Sequence, residues 1–454
     1  MYALNNEQKT AVDAIAALQP RGRLVLSGRA GSGKTYAIAR SVSDKKALIL
    51  APTHPAKAVL EQELGDSTHK IMTVHSAIGW YKSRDNQLND VEGYRSAKDA
   101  LRPAEGLNDE GAGAFFGVDL VIVDESSMVG AFLFGAIEEY AEAFKLPVIY
   151  SGDVFQLPPV QDREVIAHQG FDTYTLNSSI RFPAESEIFT LGEDLRQRIE
   201  AQAWADAPFV RGGAEVQVIT GNQWLAELTR AYQRGESLLA VTSDNESLKR
   251  LRGAIRGVED DELAVGDVVL SKQTDDLFRN GEQLTISSMK KSVRVLHDVP
   301  HAVSSLKTLS LSGYNLCFSE NDKVAFILDN EYMAEKITRT TKYLFAKDKL
   351  TLKQAERILD WLAASNRFEL AALATVHKSQ GRSVDTVYVD TNTVLKRPHW
   401  VAPKNHLRLL YTAITRARKR VVFYEMKGYC ERSQTVVQFP QPHSTCEAPA
   451  LKAA

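Results

Sequence analysis

Residues 28–35 read GRAGSGKT, and residues 121–125 read VIVDE. The first block fits G-x-x-x-x-G-K-[ST], with Gly28, Gly33, Lys34 and Thr35 at the fixed places. Glycines let the chain turn tightly, so that backbone N–H groups along Ala30, Gly31, Ser32 and Gly33 can face a phosphate chain. Lys34 would reach the terminal phosphates, and the Thr35 hydroxyl would bind magnesium. A helix starting near Lys34 aims its positive end at the same anion. The second block supplies the metal and the water. VDLVIV (118–123) is a short apolar, β-branched run that reads as a central parallel strand. Asp124 stands at its carboxyl end, where open α/β sheets bind ligands. It would hold the magnesium, and Glu125 would polarise the attacking water. A plain glycine turn between strand and helix would leave Lys34, Thr35, Asp124 and Glu125 unexplained.

These residues need strands and helices to position them, and the flanking sequence provides both. RLVLSG before the first block reads as a buried strand, and TYAIARSV after it as a helix. Residues 1–75 and 116–185 alternate short apolar strands with amphipathic helices, the pattern of a parallel sheet wrapped by helices. The fold class is therefore α/β. Residues 76–115 interrupt it with polar, charged sequence carrying Trp80, Tyr81 and Tyr94, which suggests a small inserted subdomain. A second α/β set runs over 186–262 and resumes at 370–428. Between them, residues 263–369 change character. LAVGDVVLSKQ, NGEQLTISSMK and VRVLHDV read as short strands of a β-barrel or ribbon, with a turn at Asn280-Gly281, and a helical stretch follows. The tail 429–454 lacks periodicity.

Composition narrows the class. A chain of 454 residues is long enough for roughly three domains. Its 44% apolar and 25% charged residues are those of a globular protein. The net charge of −2 announces no polyanion partner, so any such contact must be a local basic cleft. Cys317, Cys430 and Cys446 are odd in number and far apart, which argues against a disulfide framework or a zinc site and for a reducing, cytoplasmic compartment. The amino-terminal MYALNNEQKT does not read as a secretory signal, and no apolar run approaches membrane-spanning length.

Further blocks sit where strands would end. In SGDVFQLPPV (151–160), Gln156 could touch a γ-phosphate, although a proline-rich turn would also explain the block. LNSSIRFP (176–183) presents Arg181, and LLYTAITRARKR (409–420) presents Arg416. An arginine reaching across a cleft can neutralise the charge that spreads over a phosphoryl group in transfer. Taken singly, either arginine is more commonly a solvated surface residue. APTHPAKAVL (51–60), MTVHS (72–76) and LATVHKSQG (373–381) share a strand-like lead that ends in Thr, His, Ser or Lys. Such residues, among them Thr53, His54, Thr73, His75, His377 and Ser379, hydrogen-bond phosphate or sugar without reading sequence. The histidines fit no zinc spacing. Each one singly is more commonly a loop or core residue.

The order of these blocks, from LNNEQKTAV through VDESSM and SSIR to LLYTAITRAR, resembles the ordered motifs of superfamily-one helicases. The likeness is to the five-prime to three-prime branch that includes RecD and the Dda-type helicases of T-even bacteriophages. Chain size and the LTLKQAERILDWLAAS insertion resemble the Dda type. The resemblance covers most of residues 1–428. It implies two RecA-like P-loop lobes with ATP and magnesium between them and single-stranded DNA across the top. The barrel of 263–369 would be SH3-like with a helical extension, and 76–115 a strand-separating wedge. Gln8 resembles the adenine-reading glutamine, Gln156 the γ-phosphate sensor, and Arg181 and Arg416 the two arginine fingers. Pro52, Thr53, His75, Thr242, His377 and Ser379 resemble positions at the DNA groove. The implied partners are single-stranded and forked duplex DNA, with a single-strand-binding protein or other replication proteins. The implied setting is a monomer in a bacterial cell or a phage-infected host.

Three other readings stay open on sequence. A translocase could displace bound proteins while unwinding weakly. A P-loop kinase or small-molecule ATPase would use Arg181 and Arg416 as phosphate clamps. A nucleic-acid-binding scaffold could bind ATP without turnover. The Thr-His and VHKSQG blocks argue against the kinase, and Glu125 with Arg416 against the scaffold.

Overall fold

The computed structural model describes residues 3–432 except 66–68, 86, 101–111, 160–161, 184, 204–206, 257–262 and 273–276. Most of the expected tail, with Cys446, and the LRPAEG end of the 76–115 insertion lie outside the described residues.

Apolar, β-branched runs build the first sheet. β1 (Arg23–Gly28), β2 (Ala47–Ala51) and β3 (Lys70–Thr73) are followed by a hairpin, β4 (Trp80–Arg84) and β5 (Asp90–Tyr94). Then come β6 (Leu120–Val123), β7 (Val148–Gly152) and β8 (Asp172–Leu176). Apart from the hairpin, these strands form one six-stranded sheet in the order β3-β2-β6-β7-β1-β8, every pair parallel. A parallel sheet is covered on both faces, which is why ALILA and LVIV are buried at every residue. One face packs Leu24, Leu26 and Ile49 against Ile15 and Ile38 of the helices Asn6–Ala16 and Lys34–Ser41. The other packs Val25, Val121 and Tyr150 against Ile137 and Tyr140 of the helix Ala131–Ala143. In this order β1 pairs with β7 and β7 with β6, so Gly28, Asp124 and Gly152 all lie at one sheet edge.

The helix Glu187–Glu200, capped by Ser186, leads into the second lobe. After the short β9 (Val210–Arg211) come β10 (Val216–Ile219) and β11 (Leu238–Thr242). A separate sheet intervenes: β12 (Val268–Ser271), β13 (Gln283–Leu296), β14 (Leu309–Phe318), β15 (Val324–Leu328) and β16 (Phe368–Leu370), paired antiparallel as β15-β14-β13-β12-β16. β17 (Leu373–Thr375), β18 (Val384–Val389) and β19 (Ala417–Tyr424) then complete a parallel sheet in the order β10-β19-β18-β11-β17. β20 (Cys430–Glu431) pairs with β9, so the first residues of the expected tail belong to this lobe. Val269, Leu284 and Phe318 of the inserted sheet share one cluster with Trp224, Leu238 and Tyr388 of the lobe, so the insertion and the lobe pack as one core.

Two local readings differ from expectation. The two short strands expected across 280–299 are one fourteen-residue strand, β13. ISSMKKSV contains no glycine, proline or asparagine to break it, and β14 pairs along its length with one irregularity between Ile286 and Ser288. The single expected helical stretch is two arm helices, Glu331–Ala346 and Leu352–Ala363. Asp348 takes a left-handed φ of +53° between them, and Thr351 with Gln354 forms a capping box that starts the second.

The arm reaches back to the first lobe. Leu88, at the turn of the β4–β5 hairpin, is fully buried in a cluster with Ile337, Leu350, Ile358 and Leu359. Arg84 pairs with Asp360 at 2.6 Å beside it. The hairpin's root is held by edge-to-face contacts of Trp80 and Tyr94 with Phe132 at 5.2 and 5.3 Å.

Candidate functional site

The GRAGSGKT turn leaves β1 and enters the helix at Lys34. Gly31 (φ +74°) and Gly33 (φ +79°) hold left-handed backbone. Space excludes a side chain as well: a Cβ on Gly31 would stand 2.3 Å from Arg181 Cβ, and one on Gly33 2.6 Å from Gln8 Nε2. Lys34 Nζ donates to the carbonyls of Gly28 (2.9 Å) and Arg29 (3.1 Å). Gln8, buried on the first helix, donates to the Ser32 carbonyl at 3.3 Å. Gly28, Ala30, Ser32 and Thr35 complete the same turn and the helix start.

Asp124 follows β6. Ser151, near the end of β7, donates to its Oδ1 at 2.9 Å. Burial pushes the Asp124 carboxyl up to about 6, with the Glu125 charge adding and Lys34 opposing. A carboxylate held up in this way gains from a divalent cation, so Asp124 suits a metal. Glu125 takes φ +47°, rare for a non-glycine residue. Backbone strain of roughly 1–3 kcal/mol persists only where the surroundings impose it. Gly152 is part of that surrounding. A Cβ there would lie 2.6 Å from Ser126 Oγ, so only bare backbone lets the DESS turn sit against β7.

Gln156 is buried, and its Oε1 finds no partner among the described residues. Such an orphan acceptor suits a water or a ligand donor in the cleft. Arg181 lies on the phosphate loop. The N–H groups of Ile180 and Arg181 donate to the Gly31 carbonyl at 2.8 and 3.1 Å. The Arg181 guanidinium stands in an open cleft, surrounded by protein yet reached by solvent. It is pushed down to about 10 by desolvation and then by the charges of Arg416 and Arg418, while Glu63 and Glu125 oppose. Arg416 comes from the second lobe, between the helix Pro403–Ile414 and β19. Its Nε donates to the Thr412 carbonyl (3.0 Å), Nη1 to the Arg382 carbonyl (3.3 Å) and Nη2 to Thr415 Oγ1 (3.2 Å). Electrostatic coupling therefore links the set. Asp124 feels Lys34 and Glu125, and Arg181 feels Glu125 and Arg416. The charges of Lys34, Asp124 and Glu125 on the first lobe, and of Arg181 and Arg416 across the junction, thus reach one another.

The expected groove residues divide. Pro52 is buried, and Thr53 caps the helix His54–Leu64 by accepting from the Ala56 N–H at 3.3 Å. Thr73 caps the next turn in the same way, from Ser76 at 3.2 Å. His54 is held below its ordinary value by desolvation and then by Lys57 and Arg279, and the His75 charge reaches it too. Desolvation also lowers His75 and His377. His75 meets Trp80 edge-on at 4.8 Å. A Cβ on Gly281 would come within 2.7 Å of Pro55, and one on Gly381 within 2.9 Å of Ala56. The Asn280-Gly281 turn and the VHKSQG turn thus converge on the start of that helix, where N–H groups attract phosphate. Thr242 and Ser379 require a correction. Both are fully buried, and their hydroxyls donate inside the second lobe, to the carbonyls of Asp244 (2.9 Å) and Val376 (2.6 Å). A strand contact at these two positions would have to run through backbone.

Sequence reasoning missed the seam between the lobes. Asp153, next to β7, accepts from Tyr411 Oη at 2.6 Å and from Arg196 Nη1 at 3.3 Å. The Leu157 N–H donates to Thr412 Oγ1 at 3.0 Å, and its carbonyl accepts from Gln380 at 3.2 Å. Arg196 stacks over Phe155 at 4.0 Å, and Arg29 of the phosphate loop pairs with Glu193 on the same linking helix. All but the two linking-helix residues lie inside blocks already singled out, which was the available signal.

Residues 3–215 match the family model of an AAA domain, and residues 370–424 that of a UvrD-like helicase C-terminal domain. An uncharacterized protein of Acanthamoeba polyphaga mimivirus is 28% identical over 158 residues, a match that spans 31% of this chain and 29% of that protein. Pif1 helicase from Bacteroides, in complex with ADP-AlF3 and single-stranded DNA, is similar with a TM-score of 0.51 at 17% identity, over 93% of this chain and 92% of that one. A Pif1 structure on unwinding at forked duplex DNA by two coordinating Pif1 helicases gives the same TM-score, 0.51, at 17% identity and the same coverage, 93% and 92%. At this identity the likeness is one of fold. The chain has the α/β fold of the Pif1 helicases, with two RecA-like lobes built on parallel sheets.

Proposed function

We propose that this chain is an ATP-dependent DNA helicase of superfamily one, of Pif1 type, that moves five-prime to three-prime along single-stranded DNA and opens duplex. The nearness to the Dda type, inferred from size and the arm insertion, belongs to the same proposal. The observation that carries it is the cleft. Lys34, Asp124 and Glu125 on one lobe are coupled through Arg181 to Arg416 on the other.

The chemistry follows from what each residue can do there. Lys34 and the loop N–H groups bind the β- and γ-phosphates, and Gln8 sits where a base could be read. Thr35 and Asp124 would hold magnesium, which when bound offsets phosphate charge. Glu125 orients and polarises water, and Gln156, whose orphan Oε1 can accept from that water, links the state of the γ-phosphate site to the seam. Arg181 and Arg416 neutralise charge on the transferred group. Arg416 is held by its own lobe, so lobe closure delivers it. Loss of the γ-phosphate removes the tie between Lys34 and Arg416, and the lobes part. Thr53, His54, His75 and His377, with backbone at Pro52, Thr73, Thr242 and Ser379, would contact the strand. A hairpin fixed at root and turn favours duplex opening over bare translocation. The working partners would be single-stranded and forked DNA and a single-strand-binding protein, for a cytoplasmic monomer.

The test is unwinding of matched five-prime-tailed and three-prime-tailed duplexes with ATP. Opening of the five-prime-tailed substrate alone is expected. Opening of the other alone overturns the direction, and ATPase indifferent to single-stranded DNA overturns the helicase reading.

A further inference from the structure

The first arm helix, Glu331–Ala346, carries a stripe that neither its packing nor the cleft uses. Ile337 and Thr341 face inward, Ile337 in the cluster that holds Leu88. On the outward side Tyr332, Lys336, Arg339 and Tyr343 recur at spacings of four, three and four, which puts them on one face. Tyr332 is 63% exposed and Tyr343 62%. A single exposed aromatic is ordinary, but two rings bracketing two cations along one helix line make a stacking platform with a basic track. The helix's two carboxylates, Glu331 and Glu335, are both in ion pairs, with Arg367 and Arg339. Lys336 has no ion pair among the described residues. Lys342, on the neighbouring row, projects its charge to Asp85 at the hairpin turn.

We infer that this stripe binds single-stranded nucleic acid and that its occupant is the strand displaced at the fork. The inference rests on the helicase reading above. The two rings are about 16 Å apart along the helix, a span of a few nucleotides. Unpaired bases offer their faces to tyrosine, whereas a duplex keeps them stacked inside, so exposed rings select a single strand. Lys336 supplies a phosphate contact that reads no sequence, and Arg339 adds one by exchanging its Glu335 partner for phosphate. Position selects which strand. The helix's inner face holds the hairpin turn, so its outer face points away from that turn, where a strand parted by the hairpin would emerge. Holding the freed strand there keeps it from re-pairing.

The test uses the full chain and three DNAs with one five-prime tail in common: a plain oligonucleotide, a tailed duplex, and a fork that adds an unpaired tail on the other strand. Fluorescence anisotropy should show the fork bound about tenfold tighter than the tailed duplex, the scale of one or two stacked bases. The triple variant Tyr332→Ala, Lys336→Ala, Tyr343→Ala should lose that margin. It should keep its melting temperature, its affinity for the plain oligonucleotide and its DNA-stimulated ATPase. Lys336→Glu alone should narrow the margin, most at low salt. A benzoyl-phenylalanine photocrosslinker placed at position 343 should label the displaced strand. A margin that survives the triple variant, or crosslinks confined to the tracking strand or the duplex, overturns the inference. Wild-type ATPase that ignores single-stranded DNA overturns the helicase reading instead.

Discussion

The cleft and the hairpin brace join the same two lobes by opposite means. The cleft is polar and loosely satisfied. The Arg416 charge bears on Arg181, Gln156 Oε1 lacks a partner among the described residues, and Glu125 holds a strained backbone. The brace is apolar and closed. Leu88 is fully buried among arm residues, and an Arg84–Asp360 pair seals its edge. A site whose interactions are incomplete can be completed by a ligand and undone by its loss. A filled apolar socket has no such second state. The difference assigns motion to the cleft and stiffness to the hairpin.

The strongest way to break this comparison is at the cleft. Lys34→Ala should lower ATP turnover by about three orders of magnitude while leaving binding of single-stranded DNA nearly unchanged, because the Lys34 ammonium is directed at the Gly28 and Arg29 carbonyls of its own loop and not at the groove residues. Measured turnover near wild type would remove the nucleotide assignment. Arg416→Ala should come next. Its loss should cut kcat by about 10²- to 10³-fold, with much less change in ATP affinity, since neutralising transferred charge matters most at the transition state. If only affinity falls, Arg416 is a binding residue and lobe closure is not what completes the site.

The brace should yield a smaller and differently shaped loss. Leu88→Ala should destabilise the hairpin–arm contact by about 2–5 kcal/mol, within the range for emptying a buried leucine site. ATPase stimulated by single-stranded DNA should persist, and base pairs opened per ATP should drop about tenfold if stiffness is what couples movement to separation. Equal losses in ATPase and unwinding would show that the hairpin serves stability alone. The backbone of Leu88 already sits at φ +61°, so the residue is held there against its own conformational preference.

What was readable in the sequence follows the same divide. The cleft's core was readable because phosphate chemistry needs contiguous residues: Gly28 to Thr35 form one turn, and Asp124-Glu125 one strand end. The seam was not. Asp153 meets Tyr411 and Leu157 meets Thr412 across separations of 258 and 255 residues, and no local pattern records such pairings. Leu88 was invisible for another reason. In DNQLND a lone leucine among polar residues reads as loop, and its burial is decided by arm helices more than two hundred residues away. Thr242 and Ser379 show the reverse error. Their residue types suit phosphate, but folding had already committed their hydroxyls.

The finest test of the comparison is proton competition at the cleft. Asp124 is raised to about 6, by burial first and by Glu125 second. The sign follows. Because the folded carboxyl holds its proton more tightly than an unfolded one, the ionised form destabilises the fold at neutral pH, and that cost shrinks as pH falls through about 6 and is gone only below the ordinary carboxylate value. A bound cation relieves the same cost, so magnesium and the proton compete for Asp124. Magnesium should raise the melting temperature by a few degrees at pH 7.5 and by less at pH 5.5. Its apparent affinity with nucleotide present should fall by up to about tenfold per unit of pH below 6. Asp124→Asn should flatten both dependences. Leu88 carries no titratable group, and hydrogen bonds from Asn89 hold Asp85 at the hairpin turn below the ordinary carboxylate value, so the stability lost by Leu88→Ala should be the same at the two pH values. A magnesium effect unchanged between them would mean that Asp124 is not the residue that meets the metal, and the contrast between an unfinished cleft and a finished brace would lose its electrostatic half.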